Sequence, residues 1–345
     1  MKKNKTILFY AHVKNINLFE DVSFYEQDIR ALRQMGYTVI TSNRALDFFF
    51  KRYDYVYIWW WSRAILPIIA SWFKRTKVCI AGAFHYSTPL MDGTDFVRRG
   101  WLYKMLVSFC LRFSAGNIFV SRYEFDQVTS NLFVNNPHLV HHGIDIDKYK
   151  PLANEGGGGV LDTKNNILVI SWLETNNIAR KCLKESVTAF DMLVREGVDA
   201  NLYIAGREGP GFLKFKEFID GLPSASRITL LGHVSEKHKI ELLQSVDVFV
   251  SPTLYEGFGV AIAEALACGC PVVTSDNGAV KEVAGGCAIY VDPHSPEEIS
   301  AAIKKIIFDS NYKSDRKRQS PVRIGALFSY ERHLLNLSRA IRKIF

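Results

Sequence analysis

Residues 255–273 read YEGFGVAIAEALACGCPVV, which sets two glutamates, Glu256 and Glu264, among apolar residues and glycines. A carboxylate taken out of water is costly unless something pairs with it. The flanking segments say where the two sit. VDVFVSP (246–252) reads as a buried strand, and TLYEGFG (253–259) as a turn carrying Gly257 and Gly259. VAIAEALACG (260–269) reads as a helix stopped by Gly269, and PVVTS (271–275) as the next strand. Glu256 therefore falls in the loop at the carboxyl end of a strand, where open α/β sheets bind ligands. Glu264 falls in the helix that follows. The glycines bare backbone N–H groups just ahead of a helix N-terminus, which suits phosphate, and the two carboxylates can accept from sugar or ribose hydroxyls. The plainer reading makes Glu256 a cap and Glu264 a solvated helix residue. Ala261, Ile262, Ala263, Ala265 and Leu266 around Glu264 argue against a solvent face.

The same alternation runs along the whole chain. Apolar runs occur at Thr6–Ala11, TVITS (38–42), YVYIWWW (55–61), KVCIAGA (77–83), GNIFVS (116–121), NILVIS (166–171), NLYIAG (201–206), RITLLG (227–232) and AIYVD (288–292). Helical spacing, as in FYEQDIRALRQMGY (24–37) with its stop at Gly36, separates them. Continuous apolar strands between helices are the mark of parallel sheets covered on both faces. With 345 residues, the chain is long for one core and natural for two domains. KPLANEGGGGVLDTKNN (150–166), with four consecutive glycines from Gly156 to Gly159, reads as the linker.

Composition narrows the class. Apolar residues make up 48% and charged residues 23%, as in a soluble globular protein. The formal net charge of +8 favours an anionic partner without choosing among nucleic acid, nucleotide phosphate and acidic lipid. The six cysteines, Cys79, Cys110, Cys182, Cys268, Cys270 and Cys287, form no C-x-x-C pair and read as small buried thiols of a reduced cytosolic protein. The opening MKKNKTILFYAHV has too short an apolar run for a leader peptide and no small-residue cleavage site, and reads as a first strand. Tyr55–Phe73 is barely long enough to span a bilayer and carries Arg63 and Pro67, so it reads as a strand running into a helix.

SPTLYEGFGVAIAEALACGCPVVTSDNGAVKEVAGGCAIYVDP (251–293) resembles the donor-site signature of the retaining glycosyltransferases of family four (glycosyl transferases group 1): two glutamates with seven residues between them around a glycine-rich turn. VHHGIDIDKYKP (140–151), NLYIAGREGP (201–210), ITLLGHVSEKHKIELLQSVDVFVSP (228–252) and FSYERHLLNLSRAIRKIF (328–345) are similar to further family segments. The first domain matches more loosely. The resemblance implies a GT-B fold, two Rossmann-like doubly wound parallel-sheet domains facing across a cleft. It places an acceptor-side domain at 1–155, joined by a closing helix at about 328–345, and a donor-side domain at 160–327.

It also implies roles. Glu256 would bond the donor sugar. Gly257, Phe258, Gly259 and Val260 would line the sugar and diphosphate, and Gly206 and Val234 the rest of the donor. Glu264 would accept from the ribose. Each carboxylate would then be satisfied by ligand and need no protein partner. Lys181, in ISWLETNNIARKCLKE (170–185), fits the family's phosphate-binding lysine. The arginine usual just after that strand is absent near Trp172–Glu174, and Arg180 is the substitute at hand. His85, in CIAGAFHYSTP (79–89), would lie near the reacting carbon. The glycine pair usual after the first strand is replaced by HVKNINLFEDVSF (12–24).

The expected activity is therefore retaining transfer of a sugar from a nucleotide-diphosphate sugar to a hydroxyl acceptor, in bacterial surface polysaccharide or glycolipid synthesis. Glu256, His85 and Lys181 carry it, with no metal and no cofactor. A lipid-linked sugar is the acceptor guess, and nucleic acid is not a partner. The absence of G-x-G-x-x-G after the first strand argues against a nicotinamide-dependent oxidoreductase. A sugar-nucleotide epimerase of the same fold and a non-catalytic nucleotide-sugar-binding homologue stay open. Asp145–Asp147 (DID) reads as a capped turn rather than a metal motif. His138, His141 and His142 lack zinc-type companions. Phe96–Phe113 reads as a helix with a basic strip, either packed on the core or lying on an anionic membrane. The expected location is cytoplasmic, peripheral on the inner membrane face.

Overall fold

The computed structural model describes residues 4–91, 93, 95–152 and 165–345. The glycine run read as a linker lies outside the described residues. The chain divides into two compact units, Met1–Gly143 with Tyr330–Phe345, and Ile144–Ser329.

In the first unit the strands are β1 (Thr6–Tyr10), β2 (Thr38–Ser42), β3 (Tyr55–Trp59), β4 (Lys77–Gly82), β5 (Gly116–Phe119) and β6 (Pro137–Leu139). All pairings are parallel, in the order β2-β1-β3-β4-β5-β6. The second unit has β7 (Asn166–Ile170), β8 (Asn201–Ala205), β9 (Ile228–Gly232), β10 (Val248–Ser251), β11 (Val272–Thr274) and β12 (Ala288–Tyr290). These are also parallel, in the order β12-β11-β10-β7-β8-β9. Chain order reverses between β1 and β3 in one sheet and between β7 and β10 in the other. Reversals of this kind open a crevice at the carboxyl ends of the strands.

Burial follows the strand pattern: Ile7, Leu8 and Phe9 of β1 and Val272 and Val273 of β11 are fully buried. The Ser23–Gln34 helix buries Tyr25, Ile29 and Leu32, and the chain reverses at Gly36 with φ of 90°. Tyr55–Phe73 separates into β3, a tight turn (Trp61–Arg63) and a helix (Ile65–Lys74). No described helix is long and apolar enough to cross a membrane. All six cysteines are buried and unbridged. Strand β6 was not foreseen: three half-buried residues beginning with proline leave no apolar run to read. The expected helix over Phe96–Phe113 starts only at Trp101, after Gly100. Arg98 is held in the preceding loop, where its backbone N–H donates to Asp95 Oδ1 at 3.0 Å.

The last helix, Tyr330–Ile344, belongs to the first unit and is anchored by a buried carboxylate. Asp28 Oδ2 accepts from the Tyr57 hydroxyl (2.8 Å) and Trp59 Nε1 (3.1 Å), while Oδ1 lies 3.0 Å from His333 Nε2. His333 Nδ1 in turn lies 2.8 Å from the His141 carbonyl. Asp28→Ala strands the buried Tyr57 hydroxyl and Trp59 indole N–H and removes the carboxylate beside His333. Breaking a buried pair by removing one partner costs about 3–5 kcal/mol. Urea unfolding should show a loss of that size, whereas a loss under ~1 kcal/mol would show that the network does not anchor the helix.

Candidate functional site

The site of the second unit is built at its β7/β10 reversal. After β10 the chain is fixed by backbone contacts. Thr253 Oγ1 donates to the Arg180 carbonyl (3.2 Å), and Leu254 N–H donates to the same oxygen (2.8 Å). Glu256 forms a bridge to Gly278, and its carbonyl accepts from Ala279 N–H at 2.9 Å. A Cβ on Gly278 would stand 2.4 Å from the Glu256 carbonyl oxygen, so only glycine admits this approach. Gly259 (φ 92°) turns the chain into the Val260–Ala267 helix, whose first-turn N–H groups have no intrahelical acceptor.

Glu256 is not left to a ligand alone. Its Oε1 lies 2.9 Å from Arg180 Nη1 and 3.6 Å from Lys181 Nζ. Arg180 also donates to the Tyr255 carbonyl at 2.8 Å and to Asn177 Oδ1 at 3.3 Å. Burial by itself would raise the Glu256 pKa; Arg180 and Lys181 outweigh it and hold it below the ordinary value. Burial lowers the Lys181 pKa, against the pull of Glu256. Two cations around one carboxylate leave an excess of one positive charge.

Glu264 is 4% exposed, and its Oε1 accepts from Lys239 Nζ at 3.0 Å. The same ammonium lies 5.1 Å from the centre of the Tyr149 ring, and Tyr149 is raised in pKa by burial and by Glu264. The expectation that neither glutamate needs a protein partner is thus corrected for both. The physical reason is the one that raised the question: a carboxylate this deeply buried needs a cation beside it.

Phe258 is buried and meets the Phe328 ring edge-on at 5.5 Å. Gly257 and Gly259 are buried, while Val260 and Val234 are half-buried. Gly206 answers to its own backbone: a Cβ there would fall 1.7 Å from the Ser171 carbonyl oxygen. Trp172, where the family arginine is missing, is 45% exposed. The Arg207 guanidinium lies 5.8 Å from its ring centre, with Nε 3.5 Å from His233 Nδ1. Lys239, Tyr149 and Arg207 escaped the sequence reading. Lys239 hides among the other charges of SEKHK, Tyr149 precedes β7 by many residues, and Arg207 looks like an ordinary loop cation.

His85 is half-buried in the first unit, just beyond β4. Its loop is stapled at both ends. Phe84 N–H donates to the fully buried Glu124 (2.8 Å), and Phe96 N–H donates to the His85 carbonyl (2.8 Å). His142 Nδ1 lies 2.8 Å from Gln27 Nε2. Lys148 N–H closes a turn on the Asp145 carbonyl at 3.1 Å. Among the described residues no three His, Cys, Asp or Glu side chains gather closely enough to hold a metal ion.

The family model described as Glycosyl transferases group 1 matches residues 162–322. A GDP-mannose-dependent alpha-(1-6)-phosphatidylinositol dimannoside mannosyltransferase of Mycobacterium tuberculosis is 35% identical over 152 residues, which span 43% of this chain and 37% of that protein. The O-antigen chain mannosyltransferase B of Escherichia coli is 37% identical over 86 residues, 25% of this chain and 23% of that one. Two solved structures align over nearly the whole chain. Sucrose-phosphate synthase from Thermosynechococcus elongatus has a TM-score of 0.80 at 15% identity, covering 99% of both chains. Anabaena Alr3699/HepE in complex with UDP-glucose has a TM-score of 0.75 at 16% identity, covering 98% of this chain and 100% of that one. The fold is that of the GT-B glycosyltransferases, with two Rossmann-like domains.

Glu256 supplies a pH test. Its folded pKa lies below the unfolded value. Its stabilisation is therefore complete above the unfolded value and is lost as pH falls through the folded one. Glu256→Gln should be less stable than the parent at neutral pH, and the gap should close as denaturation is repeated in steps toward about pH 3. A gap that stays constant into acid would show that the ion pairs do not carry it.

Proposed function

We propose that the protein is a retaining glycosyltransferase that moves a sugar from a nucleotide-diphosphate sugar to a hydroxyl acceptor. The observation that carries this reading is the Arg180–Lys181–Glu256 cluster beside the glycine turn. Its surplus positive charge, next to N–H groups at a helix N-terminus, is suited to a diphosphate. A diphosphate arriving on Arg180 and Lys181 would draw them from Glu256 and turn that carboxylate toward the donor hydroxyls. The family match over 162–322 and the mannosyltransferase relatives support the same class.

In this reading Glu264 accepts from the ribose hydroxyls, and Gly257, Phe258, Gly259 and Val260 line the sugar and diphosphate. Gly206 and Val234 border the remaining donor. Arg207 beside Trp172 supplies a cation near the vacant arginine position. His85 serves at the reacting end. The chemistry is front-face displacement. The acceptor hydroxyl oxygen forms the new bond to the anomeric carbon as the bond to the phosphate oxygen breaks. The hydroxyl proton passes to that phosphate oxygen, and the nucleoside diphosphate leaves. The protein positions the reactants and stabilises the leaving charge through Lys181, Arg180 and the backbone donors, without a metal.

The acceptor is proposed to be lipid-linked, because the first unit presents an apolar and basic face. Phe50, Phe73 and Trp101 are 80%, 84% and 75% exposed. Their segments touch: Lys74 Nζ donates to the Lys51 carbonyl (2.8 Å), and the Trp72 ring lies 5.9 Å from Phe109 and 6.0 Å from Phe113. Arg52, Arg75, Arg99 and Arg112, on or beside the same segments, are exposed. Aromatic residues edged with arginine suit an anionic lipid surface, on the inner face of the cell membrane.

Calorimetry separates the two glutamates. Glu264→Gln should weaken binding of free nucleoside diphosphate by about 1–3 kcal/mol, the range for hydrogen bonds to a charged group. Glu256→Gln, which frees Arg180 and Lys181 of their carboxylate, should leave that affinity the same or tighter and impair transfer severely. Equal losses in both variants would mean that the roles are divided wrongly, and no binding by the parent would end the donor-site reading.

Sedimentation with vesicles tests the surface. The protein should pellet with anionic vesicles more than with neutral ones. The difference should shrink as salt shortens the Debye length below about 10 Å, and Phe73→Glu should reduce it further. Equal partition to both vesicle types would remove the electrostatic part of the argument.

A further inference from the structure

Lys239 takes no part in the transfer reading above, yet its ammonium is held on two sides. The helix Glu236–Ser245 starts at Ser235, whose Oγ accepts from His238 N–H at 3.2 Å. From that start the Lys237 side chain turns outward, 88% exposed, and the Lys239 side chain turns inward, 19% exposed. Lys239 Nζ lies 3.0 Å from Glu264 Oε1 and 5.1 Å from the centre of the Tyr149 ring. Tyr149 is buried and itself fixed. Its N–H donates to the Asp145 carbonyl (2.8 Å). Gln244 Nε2, on the lysine's own helix, donates to the carbonyl of the next residue, Lys150 (2.6 Å). The ring is thereby kept against the ion pair.

We propose that Lys239 is a positioning residue for nucleotide binding: it keeps Glu264 ionised and fixes the orientation in which that carboxylate meets the ribose. The assignment rests on the donor-site reading, in which Glu264 accepts from the ribose hydroxyls. Charge comes first. A carboxyl buried as deeply as Glu264 is driven to its neutral form unless a cation lies against it. The groups that face it are Lys239, Tyr149, Lys181 and, on its own helix's C-terminal side, Cys268. Tyr149 and Cys268 are uncharged: burial first, then Glu264, raises both, the thiol to about 12. Lys181 is turned to Glu256 at 3.6 Å, and Glu264 acts on it less than burial, Glu256 or Arg180 does. Among the described residues, Lys239 is thus the cation in contact with Glu264. Geometry agrees. The ammonium takes Oε1, and a carboxylate offers about four acceptor positions on its two oxygens, so others stay open to hydroxyls. Lys239 orients the acceptor without filling it.

The test is a double-mutant cycle on the full chain, read by calorimetry with UDP, GDP and ADP. Lys239→Met removes the charge, Lys239→Arg keeps it, and Glu264→Gln neutralises the acceptor. Thermal melts establish that the variants are folded, and Lys239→Gln, which retains an N–H, replaces Lys239→Met if that one is not. Lys239→Met should bind nucleoside diphosphate about ten-fold more weakly than the parent, and Lys239→Arg within about three-fold of it. In the Glu264→Gln background the same Lys239→Met change should cost less than about two-fold, because the group it acts through is already neutral. The ratio of parent to Lys239→Met affinity should shrink as pH rises from about 5.5 to 8.5 and the unpaired Glu264 gives up its proton. An equal loss in both backgrounds would show that the ammonium acts on the nucleotide directly. Tighter binding by Lys239→Met would show that it competes with the ribose, and a ratio constant with pH would show that Glu264 is ionised without it. Each of these overturns the assignment and leaves the donor-site reading standing. A parent that binds none of the three nucleotides ends the donor-site reading, and the assignment falls with it.

Discussion

The placement of Glu256 against Arg180 and Lys181 is the constraint on which the second unit's site depends. A buried carboxylate with two cations is unstable in any arrangement that separates them. The loop after β10 and the helix Thr175–Arg180 are therefore joined twice. The side chains meet as ions, and the backbone meets where the Arg180 carbonyl accepts from Leu254 N–H and Thr253 Oγ1. The backbone bonds set the distance, and the ion pair sets which charges lie there. The cluster is thus held together while retaining an excess of positive charge that only a further anion neutralises.

Glu264 follows a different logic. One carboxylate and one ammonium, Lys239, make a neutral pair, and Tyr149 covers it. Such a pair has no need of another ion, but it still presents oxygen lone pairs to a hydroxyl. The two glutamates of one short segment are therefore unequal in charge balance. That inequality fits a ligand with an anionic middle and an uncharged, hydroxyl-bearing group at each end.

Much of this was legible before any coordinates. The glycine turn, the helix stop at Gly269 and the apolar runs gave both sheets except β6, whose three residues carry no pattern. Lys181 could be singled out because it matches the phosphate-binding lysine that the family resemblance implies after β7. Lys239 could not, because which charge in SEKHK faces inward depends on how the helix Glu236–Ser245 packs. The same holds for Tyr149 and Arg207, which reach the site through tertiary contacts with no sequence spacing to announce them. The start of the basic helix was misread for a local reason: Phe96 and Val97 pair by their backbone with His85 and Tyr86, which keeps them out of the helix.

The two units also differ in how tightly their edges restrict residue type. In the second unit, backbone meets backbone: Cβ atoms on Gly206 and Gly278 would fall 1.7 and 2.4 Å from carbonyl oxygens. No side-chain rearrangement relieves such contacts, so only glycine serves and the segment stays recognisable. In the first unit the corresponding edge is built from side chains. Gly82, whose φ of 149° itself favours glycine, faces three tryptophan rings at 3.3 to 3.6 Å, contacts that small shifts of the rings can relieve. Packing of that kind has many solutions with different residues. An edge written in backbone distances and an edge written in aromatic side chains would diverge at different rates. The family model accordingly matches 162–322, within the second unit's part of the chain, while structural likeness extends over 99% of it.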